Sequence, residues 1–192
     1  MGIDEVGRGP LAGPVAVCVL VLHENFPKNE FKNFRDSKKL SAHLRESWLL
    51  KIEKQKQLGT LNYSLKFESA RVIDKKGLSF AINNALDRAL DSLKLSPTKC
   101  FVLLDGGLKA PPKYLKQKTI IKGDEKELAI ALASIVAKVK RDALMIKWSF
   151  KYPTYQFSKH KGYGTRAHYL AIKKHGLCPI HRRSFLRHLP LD

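Results

Sequence analysis

The run Gly2-Ile3-Asp4-Glu5-Val6-Gly7-Arg8-Gly9-Pro10-Leu11-Ala12-Gly13-Pro14, continued by Val15-Ala16-Val17-Cys18-Val19-Leu20-Val21-Leu22, decides the fold. Residues 15–22 are uninterrupted apolar side chains rich in valine. Such a short β-branched run is a strand covered on both faces, because a half-exposed strand would alternate. Residues 1–6 form a shorter strand, and the glycines and prolines of 7–14 make the loop between the two. Asp4 and Glu5 are consecutive within that first strand. Neighbouring strand residues point to opposite faces, so a regular strand turns one of these carboxylates towards the core. An unpaired buried carboxylate is costly, and a bound cation would remove the cost.

Beyond this hairpin, residues 24–40 are polar and irregular, and Ser41 is a suitable N-cap for a helix over 42–56. Residues 61–67 alternate and include aromatics, which predicts a strand. Helices are expected over 69–75 and 78–95, broken at Gly77. Short strands are expected over 100–105, ending at Gly106-Gly107, and over 118–122. A long helix should run over 125–150 and stop before Tyr152-Pro153, because the residue before a proline disfavours the helical region. One more helix is expected over 166–175. Strands first, then helix alternating with strand, define an α/β domain with a mixed sheet flanked by helices. The 192 residues suit one domain: a body over 1–150, with 151–192 packed on it as a small helical region.

The apolar fraction of 44% is ordinary, but the formal net charge of +19 is not. Such a charge points to a polyanionic partner, nucleic acid first. From Lys151 onward the only acid is Asp192, and a segment of one sign is the footprint of a nucleic-acid contact surface. The longest apolar stretches, 15–22 and 129–137, are far too short to span a bilayer, so no membrane role is expected. The start has no signal-peptide layout. Cys18, Cys100 and Cys178 fit neither a zinc spacing nor a disulfide framework, so a reducing cytoplasm is the expected compartment.

In so basic a chain the informative acids are those in awkward places. Asp105 ends the apolar run 101–104, and Asp124 falls between the last strand and the long helix. Each has a plain alternative: Asp105 as a turn residue with the following glycines, Asp124 as an N-cap with Glu127 completing a capping box. Clustered with Asp4 and Glu5, and without a Cys or His pattern, these carboxylates suit Mg²⁺ or Mn²⁺. Two such ions, roughly 3.5–4 Å apart, can activate a water and stabilise the leaving oxygen of a phosphodiester. An acidic centre in a basic chain is the outline of a metal nuclease. Several other residues keep two readings. Lys38 and Lys39 are phosphate contacts or a solvated turn, and Arg182 and Arg183 are phosphate contacts or ion-pair partners. His160, His168, His175, His181 and His188 lack a zinc spacing and read as surface or phosphate contacts. Ser134 reads as a small packing residue on an apolar helix, and Asp142 as a partner for Lys138 or Arg141 or a support for the acids. Tyr163, between Gly162 and Gly164, reads as an exposed ring on a tight loop.

The residues 2–14 quoted above closely resemble the opening motif of the ribonuclease HII family. Asp36-Ser37-Lys38-Lys39-Leu40 resembles its second motif, and Asp105-Gly106 falls at its third acid. Lys122-Gly123-Asp124, followed by Ala133-Ser134-Ile135-Val136-Ala137-Lys138-Val139-Lys140-Arg141-Asp142, resembles its fourth-acid motif and helix. His160-Lys161-Gly162-Tyr163-Gly164-Thr165 and Pro179-Ile180-His181-Arg182-Arg183-Ser184-Phe185 resemble its C-terminal motifs. The family often has Asn after Asp-Gly where this chain has Gly107, which loosens the match around 109–112. The resemblance implies a ribonuclease H-like fold and a metal-binding quartet of Asp4, Glu5, Asp105 and Asp124. It implies that the backbone at Gly7, Arg8 and Gly9 reads a 2′-hydroxyl and that Tyr163 packs on a sugar at the cut. The expected substrates are RNA–DNA hybrids and duplex DNA with embedded ribonucleotides, cut by a monomer with two Mg²⁺ or Mn²⁺ ions. Another ribonuclease H-like nuclease, such as a junction resolvase or ribonuclease HIII, is the rival enzyme. The extra N-terminal domain usual in ribonuclease HIII is not expected, since the first motif begins at residue 2. A non-catalytic nucleic-acid binder is the rival of another class, disfavoured because acids facing phosphates weaken binding unless metals intervene.

Overall fold

The valine run becomes β2 (Val15–Leu22), antiparallel to β1 (Gly2–Val6) and to β3 (Leu61–Glu68). The computed structural model describes residues 1–31 and 40–187, so the expected phosphate contacts Lys38 and Lys39, and His188, lie outside the described residues. β4 (Val102–Asp105) pairs parallel to the other edge of β1, and β5 (Gln117–Ile120) pairs parallel to β4. The sheet order is β3-β2-β1-β4-β5, a mixed sheet as expected. Residues 15–20 of β2 are fully buried, which bears out the reading of a strand covered on both faces.

α1 (Ala42–Gln57) is capped by Ser41, whose hydroxyl accepts from the Leu44 N–H at 3.3 Å. Ser69 caps α2 (Ala70–Lys76) in the same way. Gly77, at φ +87°, then turns the chain into α3 (Leu78–Ser92), which ends three residues short of the expected boundary. The expected long helix is divided into a single turn, α4 (Gly123–Lys126), and α5 (Leu128–Lys151). α6 (Phe157–His160) and α7 (Arg166–His175, capped by Thr165) complete the chain. Among the described residues no helix is long and apolar enough to cross a membrane.

Alternation along the strands builds two cores. Ile3, Val15, Val17 and Val19 face α3, through Ala81, Ala85 and Leu86. Cys18 and Leu20 face α5 and α1, through Leu132, Val136 and Ile52. β1 lies so close to α5 that a β-carbon on Gly2 would run into the Ala129 backbone. A third cluster joins Leu11, Ala12 and Met145 to Tyr155, Phe157 and Ile172, so the C-terminal residues seat directly on the glycine-rich loop after β1.

Candidate active site

The strand-end carboxylates meet because β1 and β4 run parallel. Their register pairs Ile3 with Leu104, so the next residue of each strand, Asp4 and Asp105, sits beside the other. Asp4, Glu5 and Asp105 line a cleft of about 360 Å³ together with Arg8, Arg45, Ser134, Lys138 and Tyr163. Asp105 Oδ1 accepts from the Gly123 N–H at 2.6 Å, which fastens α4 to the end of β4. A side chain at Gly123 would press on Ile130, so glycine permits this close approach. Asp124 follows directly, buried at 2% exposure and not among the residues that line the cleft. It sits inside α4, and the N-cap positions fall to Lys122 and Glu127, so the expected capping box does not form.

Burial pushes the Asp4 carboxyl up to about 8, and the charges of Glu5 and Asp105 push the same way against its Ser134 hydrogen bond. Burial also raises Glu5, opposed by Arg8, whose guanidinium lies 3.0 Å from Glu5 Oε1. The other oxygen, Glu5 Oε2, is buried with no hydrogen-bond partner among the described residues. Among those residues no three His, Cys, Asp or Glu side chains are drawn together tightly enough to form a ready metal cage. The acids instead crowd an open cleft, and a divalent cation would satisfy Glu5 Oε2 and relieve the repulsion at Asp4. The donor set therefore fits a hard ion. Ser134, expected only to pack, bonds Asp4. Asp142 does pair with Lys138, at 3.0 Å.

Two buried arginines hold the loop at the cleft mouth. Arg182 donates to the carbonyls of Gly7 (2.6 Å), Arg8 (2.9 Å) and Gly13 (2.9 Å). Arg141 donates to those of Pro14 (2.9 Å), Ala12 (3.3 Å) and Lys161 (3.1 Å). Arg182 is fully buried, and burial lowers its pKa to about 9. The expectation that Arg182 contacts phosphate or forms an ion pair is therefore corrected: its guanidinium is spent on loop carbonyls. Arg183 is exposed, with its backbone N–H held by Asp74 at 2.9 Å. Gly7, at φ +94°, leaves the room Arg141 occupies, since a β-carbon there would strike that guanidinium. Gly9 differs: a β-carbon would meet only Tyr163 Cε1, at 3.9 Å. Tyr163 is 43% exposed at the cleft, as its glycine neighbours predicted. The histidine reading needs a second correction. His168 and His181 are buried and His160 is half-buried; of the four that lie among the described residues, His175 alone is exposed as expected.

The chain superposes over its full length on the ribonuclease HII of the Archaeoglobus fulgidus PCNA complex, with a TM-score of 0.76, 22% identity and 95% of that chain covered. It also superposes on Bst ribonuclease HIII solved with Mn²⁺, with a TM-score of 0.64, 18% identity, and 96% of this chain and 63% of that one covered. A mixed sheet of this order, with carboxylates at adjoining strand ends, has the ribonuclease H fold. The ribonuclease HII family model matches residues 1–188, and the ribonuclease HII of Caldicellulosiruptor bescii is 43% identical over 98% of this chain and 86% of its own length. The chain belongs to the ribonuclease HII family and is an endoribonuclease of ribonuclease H type 2.

Proposed function

We propose that the chain cuts RNA in RNA–DNA hybrids and also cuts 5′ of a single ribonucleotide embedded in duplex DNA, leaving 3′-hydroxyl and 5′-phosphate ends. The observation that carries this reading is the shared cleft. The loop that would read a 2′-hydroxyl, the ring that would pack on a sugar and three of the four acids all border one opening. Asp4, Glu5, Asp105 and Asp124 would hold the cation, Mg²⁺ or Mn²⁺, with two ions when substrate is bound. Bound there, such ions supply an activated water and stabilise the leaving oxygen. Ser134 orients Asp4, and Arg8 holds one oxygen of Glu5 while the other stays available. The backbone of residues 7–9, with the Gly7 and Arg8 carbonyls held by Arg182, would offer its N–H groups to a 2′-hydroxyl, the group that separates RNA from DNA. Tyr163 lies beside Gly9, so a sugar against the ring also touches that loop. The exposed basic residues of the C-terminal segment, Arg183 among them, would supply phosphate contacts together with Lys38 and Lys39.

Gly9→Ala should fold as wild type, given the room around that position, yet cut a lone-ribonucleotide duplex about tenfold or more slowly. Tyr163→Ala should lower single-turnover cleavage about 10- to 100-fold with affinity largely kept, and Tyr163→Phe should be milder. Wild-type rates for Tyr163→Ala on duplexes with one and with several ribonucleotides would remove the ring from junction recognition.

Binding should weaken steeply with salt, as phosphate contacts release counterions. Replacing exposed Arg183 or the cation of Lys161 by Ala should each reduce the slope of log affinity against log salt by about one. An unchanged slope for both would return these side chains to a solvated face.

A further inference from the structure

Below Tyr163 lies a group of imidazoles that the cleft chemistry does not use. His168 Nδ1 is 2.9 Å from the Tyr163 carbonyl, His168 Nε2 is 3.0 Å from His181 Nε2, and the Cys178 N–H lies 2.9 Å from His181 Nδ1. The proton positions follow from the two ends. A carbonyl only accepts, so His168 Nδ1 carries hydrogen. Two N–H groups cannot face each other at hydrogen-bond distance. With His168 neutral, its Nε2 accepts and His181 Nε2 donates. His181 Nδ1 is then left as an acceptor, which is what the Cys178 N–H requires. Cys178 Sγ, 3.1 Å from the same nitrogen, is a thiol that can also donate to it; a proton on His181 Nδ1 aimed at the Cys178 carbonyl, 3.3 Å away, would instead reverse every bond and leave an imidazole lone pair facing the Tyr163 oxygen.

His160 repeats the pattern of His181. Its Nε2 donates to the Tyr155 carbonyl at 2.7 Å, and its Nδ1 accepts from the Gly162 N–H at 3.2 Å. Its ring stacks on His168, with centroids 4.4 Å apart. Tyr163 is thus held at both ends of its peptide unit: its N–H donates to the His160 carbonyl, and its carbonyl accepts from Thr165 N–H and from His168. The ring meanwhile stays exposed to the cleft. The same wall meets the other loop, since the Gly162 carbonyl accepts from the Leu11 and Ala12 N–H groups, and Ala12 bridges His181.

We propose that His181 and His168 form a neutral, one-directional hydrogen-bond relay that positions the Tyr163 ring against the carboxylate cleft. The two histidines are positioning residues that act through Tyr163, so the inference rests on the junction role given to that ring above. Burial favours the neutral forms, holding both rings at about 4 against the ordinary 6.5. Tyr155 and Phe157 cover them with aromatic faces.

Two measurements on the full chain test this. Long-range ¹⁵N–¹H spectra at pH 7 should show hydrogen on Nδ1 of His168 and on Nε2 of His160 and His181. Two matching tautomers in the His168–His181 pair, or a cationic ring in it, would overturn the relay whatever Tyr163 does. The second measurement uses single-turnover cleavage at saturating enzyme. An asparagine amide nitrogen can stand in for imidazole Nδ1, and a glutamine amide nitrogen for Nε2. His168→Asn should therefore keep the bond to Tyr163 while losing the one to His181, and should slow cleavage by about threefold, an intermediate loss. His168→Gln loses that bond and should slow cleavage about tenfold or more, with affinity retained. In a Tyr163→Ala background His168→Gln should cost nothing further. Equal losses for Asn and Gln, or a Gln effect that persists without the tyrosine, would show that His168 acts on packing instead. Should Tyr163→Ala itself cut at wild-type rate, the junction reading fails and the positioning role with it. The tautomers would still report whether the relay exists.

Discussion

Asp4→Asn is expected to abolish nearly all cleavage, by roughly three orders of magnitude or more, while the metal-free protein melts at a higher temperature than wild type. The two effects share one cause. Asp4 is buried beside Glu5 and Asp105, which lifts its carboxyl from 3.8 to about 8. The unfolded chain releases this proton above about pH 4, whereas the folded apo chain keeps it until about pH 8. Across that window the unfolded state binds fewer protons, so folding stability falls as pH rises. Asparagine carries no such penalty and still offers an oxygen to Ser134. The gain should be on the order of 1–3 kcal/mol at pH 7, should shrink towards pH 4, and should be read by thermal melts in a chelator. Divalent metal should raise the melting temperature of wild type more than that of the variant, because an ion that binds only the folded state adds stability that grows with the logarithm of its affinity. Asp124→Asn should likewise remove cleavage with the fold intact. A folded Asp4→Asn enzyme cutting at near wild-type rate would take Asp4 out of the mechanism.

Arg182→Ala is expected to destabilise the protein by about 3–5 kcal/mol, among the largest single-residue effects in the chain. The guanidinium is fully buried and is the shared donor for the carbonyls of Gly7, Arg8 and Gly13. Truncation leaves those oxygens without that donor and opens a cavity between the loop after β1 and the C-terminal segment. Arg182→Lys should recover only part of the loss, because one ammonium cannot reproduce a planar fork aimed at three carbonyls. Urea denaturation checks this as a lower midpoint at unchanged slope. Cleavage of a lone-ribonucleotide duplex should fall as well, since residues 7–9 lose their support. Unchanged stability with a smaller salt slope would restore the phosphate-contact reading that burial argues against.

The elements were largely legible in the sequence because their signals are local. The valine run, the serine cap at 41 and the break at Gly77 each act within a few residues. The separate turn α4 was not legible: its first residue, Gly123, is held by Asp105, eighteen residues earlier in the chain. Among the site residues, Asp4, Glu5 and Asp105 stood out as charges placed in apolar strands, and the structure gathers them in one cleft. Ser134 was hidden because a serine on an apolar helix looks the same whether it packs or bonds a carboxylate.

The sequence by itself determined the strand and helix alternation, the acidic centre in a strongly basic chain and the order of motifs that marks the family, because patterning, charge and composition are properties of the chain. Only the tertiary structure decided what Arg141, Arg182, His168 and His181 do. Their partners are carbonyls and ring nitrogens far away in sequence, and a backbone carbonyl is present at every residue and leaves no mark in the order of side chains. An arginine bound to carbonyls and one bound to phosphate are written with the same letter; burial distinguishes them, and burial exists only once the chain has folded.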